Sequence, residues 1–176
     1  SGSLGLHPAI YFYGPSGRHS SYMFMGTMEL IAKKIVNNNS DFFKKFTSVR
    51  SGLENILIDK KDLISTIIQR HISGRRAAIH ALVIEFIVNK LLANEPPSDS
   101  EIVSIAKLEG KIVVGTSATS STDFSDDIKS KVFISSAISS AQRCAICGGY
   151  LDPAKSMSYD HSKDRKLGGI GDARNC

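Results

Sequence analysis

Cys144 and Cys147 stand three apart, and Gly148-Gly149 follows them directly. Two thiolates at this spacing can occupy two corners of a tetrahedral Zn²⁺ site, and the glycines let the backbone turn beneath the metal. A redox pair is a rival reading, but no βαβ pattern surrounds the cysteines. Two incidental thiols are the third. Twelve residues separate Cys147 from Asp160-His161, six separate His161 from Gly168-Gly169, and five separate Gly169 from Asn175. Each element is weak alone; the combination points to metal-assisted chemistry.

This tail resembles the HNH family of nucleases, also called ββα-metal or His-Me finger nucleases. That family shows a C-x-x-C knuckle, a strand ending in Asp-His, a loop with Gly-Gly and a following Asn. The resemblance covers 33 residues, Cys144 to Cys176. It implies a metal-dependent DNA endonuclease or nickase. Phosphodiester hydrolysis needs an activated water and a cation to neutralise charge on the leaving oxygen. A neutral imidazole is suited to take the water proton near pH 7. His161 is then the general base and Asp160 the oxygen ligand of Mg²⁺ or Mn²⁺. By the same resemblance, Asn175 holds the loop that orients His161, and Zn²⁺ at Cys144 and Cys147 is structural. Lys163, Arg165, Lys166 and Arg174 are candidates to meet DNA phosphates; a solvated basic loop is their plainer reading.

The sequence departs from the family in two places. Ser162-Lys163-Asp164 stands where a Pro often follows the Asp-His pair. Cys176 comes directly after Asn175, where the family's next ligand usually comes several residues later, and is the expected third zinc ligand. The family's last ligand pair and closing His or Asn would come later still, so the chain reads as a fragment of a longer protein. The run from His7 to Phe24 resembles the helical segment before the nuclease domain in GmrSD-type and ParB-like restriction and phage-defence proteins. That resemblance implies a nucleotide-dependent sensor domain preceding this chain. The alternative function is a zinc-containing nucleic-acid-binding or interaction module without catalysis.

The elements that must carry this tail are helical in pattern. The chain has 176 residues, 41% hydrophobic and 22% charged, an ordinary globular balance. No apolar run is long enough for a membrane span, so no membrane partner is expected. Few cysteines and no visible signal peptide suit a reducing, cytoplasmic setting. The net charge of +5 divides into +6 over residues 1–94, −3 over 95–140 and +2 over 141–176, which fits a polyanion partner without requiring one. Gly14-Pro15-Ser16-Gly17 lacks phosphate-loop spacing and reads as a turn.

Residues 22–93 show apolar side chains at three- and four-residue intervals. A break falls at Asn37-Asn38-Asn39, with Ser40 as the expected cap of the next helix. The longest helix opens at Ser73, with an apolar stripe through Ile79, Leu82, Val83, Phe86, Ile87 and Leu91, and ends before Pro96-Pro97. His19, His71 and His80 read as surface or helix-end residues, and Arg75-Arg76 as a solvated basic turn. Ser98 and Glu101 form a candidate capping box. Thr122 or Asp123 caps a helix to about Ser140, with Ile128, Val132, Ile134 or Ser135, and Ile138 inward. The expected fold is mainly α: a helical bundle over 1–97, connecting helices and a Ser-rich linker over 98–140, and a small ββα-metal module with its zinc knuckle over 141–176.

Overall fold

Helices α2, α3 and α6 begin where the sequence offers a side chain to their free N–H groups, whereas α4 and α5 start without one. The computed structural model describes residues 4–37, 39–112, 124, 126–152 and 163–172. Helix α1, Pro8–Tyr11, starts on a proline, whose missing N–H costs nothing there. Helix α2, Ser21–Val36, is capped by Ser20, which accepts the Met23 N–H. Helix α3, Ser40–Asp59, is capped by Asn39 rather than Ser40: the Asn39 side chain accepts the Phe42 N–H at 3.0 Å, and Ser40 becomes the first helical residue. After Lys60 come α4, Lys61–Arg70, and α5, Ser73–Leu92. Helix α6, Asp99–Ile105, opens with the expected capping box, the Ser98 N–H donating to the Glu101 carboxylate at 2.8 Å. Helix α7, Asp126–Ile138, and a 3-10 turn, Arg165–Leu167, complete the described elements.

Helix α5 is the centre, with α2, α3, α4 and α6 packed around it. Its inward face carries His80, Ala81, Val83, Ile84, Ile87 and Val88. Helices α2 and α5 meet at Gly26, where an added Cβ would lie 2.4 Å from the Ala77 carbonyl oxygen, so any side chain there forces the helices apart. His80 is not a surface residue: it is 2% exposed at this crossing. Burial, reinforced by Lys61, pushes its pKa down to about 3. Lys61 is itself buried and donates to the Ile10 carbonyl, and burial lowers its pKa to about 7. Helix α7 reaches the core through Ile134 and Ile138, while Ile128 and Val132, expected inward, are 45% and 64% exposed. Among the described side chains of α7 that i,i+4 pair alone is buried, where the helix lies against α1 and α3. The Gly14–Gly17 stretch is a turn: the Gly14 N–H donates to the Arg18 carbonyl at 2.8 Å, and Gly17, at φ +69°, sits against the Phe133 ring.

The ββα-metal module expected over residues 141–176 is corrected. Among the described residues no strand forms; the backbone pairs only at isolated antiparallel bridges, Leu6 with Leu151, Tyr13 with His19 and Arg143 with Tyr150. The described part of the tail is one tight turn and a 3-10 turn. The physical reason lies at Tyr150. Its N–H donates to the Glu54 carboxylate at 2.6 Å and its C=O accepts from the Arg50 guanidinium at 2.7 Å. Tyr150 thus pairs with Arg143 on one edge, while its outer edge is closed to a further strand by side chains from α3.

Candidate metal knuckle

The turn that carries the thiols is closed by its own backbone. The Cys144 N–H donates to the Gly149 carbonyl and the Gly148 N–H to the Cys144 carbonyl, each at 2.9 Å, and the Leu151 N–H reaches the Gln142 carbonyl at 2.8 Å. Gly148 has φ +66°, a left-handed conformation that glycine adopts without strain. Backbone N–H groups of Cys147 and Ile146 point at the Cys144 sulfur and hold its thiol below the ordinary range, with smaller help from the Cys147 thiol and the Arg50 charge. N–H donors that favour a thiolate over a thiol prepare a sulfur for metal. Both cysteines are free and half-buried.

Two arginines brace the turn. Arg143 donates to the Gly148 carbonyl at 2.9 Å and to the Tyr150 hydroxyl at 2.5 Å, and its guanidinium lies 3.9 Å from the Tyr150 ring centroid. Arg50, from α3, packs against Gly149 so closely that an added Cβ would lie 2.4 Å from its Nε. Arg50 is 5% exposed and donates to Glu54 Oε1 at 2.8 Å, to the Gly5 carbonyl at 2.8 Å and to the Leu4 carbonyl. Glu54 is fully buried, and its Oε1 also accepts the Tyr11 hydroxyl at 3.1 Å. One buried ion pair thus joins the N-terminal segment, α1, α3 and the turn.

Sequence reasoning missed this pair, although a signal was present. Arg50 and Glu54 sit i,i+4 among Phe46, Leu53 and Leu57, all buried on the inward stripe of α3. Two opposite charges on an apolar stripe indicate a buried pair with work beyond the helix.

Of the residues expected to act, Cys144 and Cys147 come together on one turn. Lys163, Arg165 and Lys166 are exposed around the 3-10 turn, where the Asp164 side chain accepts the Lys166 N–H at 2.9 Å. The next turn closes at Gly168, φ +81°, with the Gly169 N–H on the Asp164 carbonyl at 3.0 Å. Asp160, His161, Arg174, Asn175 and Cys176 lie outside the described residues. Among the described residues no three His, Cys, Asp or Glu side chains gather into a full ligand set. The two thiols on an N–H-lined turn fit half of a tetrahedral zinc site by donor chemistry. No described helix is long and apolar enough to cross a membrane. No family model, curated protein or solved structure matches this chain.

Proposed function

We propose that this chain is the effector part of a metal-dependent DNA endonuclease, with the knuckle organising a tail that carries the reacting groups. The observation that supports it best is the Cys144–Cys147 turn, built with N–H groups on sulfur and fixed to the helical body. Cys144 and Cys147 would hold Zn²⁺, with Cys176 as a further ligand. Asp160 supplies a hard oxygen donor for Mg²⁺ or Mn²⁺. That cation, when bound, neutralises charge developing on the scissile phosphate and its leaving oxygen. His161 would take the proton from the attacking water. Asn175 orients the His161 loop. Lys163, Arg165, Lys166 and Arg174 hold phosphates on either side of the cut, a salt-dependent contact that carries no sequence information. Selectivity and a restriction or phage-defence setting belong to a nucleotide-dependent sensor domain of the same protein. The reading rests on these residue types and their order, not on a ββα module.

The test is plasmid cleavage in Mg²⁺ or Mn²⁺ by the wild-type chain and by His161→Ala. Nicking or linearisation that falls at least about 100-fold in the variant, with unchanged helical content, supports the reading. Equal cleavage by both removes His161 as the base. DNA binding without cleavage by either favours the zinc-containing binding module.

A further inference from the structure

We infer that the buried Arg50–Glu54 pair is a clasp through which the helical body sets the shape of the metal knuckle, so that metal at Cys144 and Cys147 and the folding of the body are linked. The inference rests on the proposed metal reading of the two thiols. It concerns two positioning residues that touch neither metal nor substrate.

The geometry is specific. Tyr150 gives its N–H to Glu54 and its C=O to Arg50, so one ion pair fixes both backbone groups of one residue. Tyr150 is three residues past Cys147, and the linking residues are Gly148 and Gly149. Gly149 presses on the Arg50 side chain, and Gly148 lies over Ser51. The Gly149 carbonyl in turn receives the Cys144 N–H. The path from buried carboxylate to the Cys144 backbone is therefore two hydrogen bonds and one peptide unit, and only the short Cys144 side chain lies between that backbone and the thiol.

The same pair reaches the other way. Arg50 takes the carbonyls of Leu4 and Gly5, Glu54 takes the Tyr11 hydroxyl, and Leu6 pairs with Leu151. The N-terminal segment and the knuckle are thus held on α3 by the same two side chains.

Burying an ion pair is a poor route to stability, since apolar residues of similar volume do as well or better. A pair that is fully enclosed and bonded on every side is better explained by what it positions. Residues that orient metal ligands without touching the metal typically change affinity by about 10–100-fold when altered. Linkage is reciprocal: a metal that binds the native turn and not the unfolded chain must stabilise the body that shapes it.

The experiment is a Co²⁺ titration of the full chain, read by the sulfur-to-metal charge-transfer band, on wild type, Glu54→Gln, Arg50→Lys and Tyr11→Phe. Far-UV circular dichroism monitors the helices. Glu54→Gln and Arg50→Lys should weaken Co²⁺ by about 10-fold or more, and Tyr11→Phe, which leaves Tyr150 untouched, by no more than about twofold. Independently of any clasp variant, saturating Zn²⁺ should raise the wild-type unfolding temperature, and the Cys144→Ser/Cys147→Ser chain should not respond. Unchanged Co²⁺ affinity in folded Glu54→Gln and Arg50→Lys chains overturns the clasp. So does a wild-type helical transition that saturating Zn²⁺ does not move. A wild-type chain that binds no Co²⁺ overturns the metal reading itself, and the clasp with it.

Discussion

Around α5 the buried side chains are mostly aliphatic, with Val83, Ile87 and Val88 at 0% exposure, whereas Ile146 at the tip of the knuckle is 90% exposed. Over 142–152 only Gly149 is buried, and it has no side chain to contribute. The body is held by area removed from water, at roughly 1.5–3 kcal/mol per large aliphatic side chain. The turn is held by directional bonds from Arg50, Glu54 and Arg143 to backbone groups. Area-driven packing tolerates repacking; a turn held by a few bonds keeps one geometry or loses it. A metal site needs the second property, because ligands must meet at fixed distances.

Substitutions can break that contrast. Glu54→Ala should have the largest effect, about 3–5 kcal/mol, because it leaves Arg50 buried and uncompensated in both regions at once. Urea unfolding followed by far-UV circular dichroism measures it. Ile87→Ala should cost about 2–5 kcal/mol in the same experiment while leaving the thiol environment alone once the chain is folded. Gly149→Ala should do the reverse. Its methyl enters the space of the Arg50 side chain, so Cys144 and Cys147 should react faster with a thiol reagent, and the helical transition should move by no more than about 1–3 kcal/mol. The cap variant Asn39→Ala should cost about 1 kcal/mol and touch only the start of α3.

pH sharpens the contrast from the side of the body. His80 has a native pKa of about 3 against an ordinary 6.5, so the unfolded chain binds the extra proton between those values. Stability from this group is full above pH 6.5 and is lost as pH falls toward 3. Lys61, at about 7 against 10.5, acts in the same direction at higher pH: its burial costs most below pH 7 and is relieved as pH rises toward 10.5. Thermal unfolding of His80→Leu across pH 4 to 7 should show a flatter acid limb than wild type. An identical acid limb would mean that His80 does not set it.

Much of the body was legible because its signals are local. The break at 37–39 and the Ser98 capping box follow from neighbouring residues. The α5 stripe holds at Val83 and Ile87, but it included Leu82, which is exposed, and left out Ile84 and Val88, which are buried. The cap moved by one residue, to Asn39, because adjacent Asn and Ser are both good acceptors and only the turn geometry selects. His80 was misread because its burial depends on Gly26, 54 positions away, bringing α2 against it. The thiol turn was legible from its spacing and glycines. Its attachment was not, because Arg50 and Glu54 meet Tyr150 across about a hundred residues. The strands implied by the family resemblance were out of reach for the same reason: nothing near Tyr150 in the sequence shows that a distant ion pair closes its outer edge.

The most direct test of a metal-organised tail on a helical body is the zinc content of the purified full chain, compared with Cys144→Ser/Cys147→Ser. The expected result is about one zinc per wild-type chain, lost in the double variant while the helical spectrum persists. A wild-type chain that carries no zinc and takes none up, or a double variant that keeps it, would contradict the account.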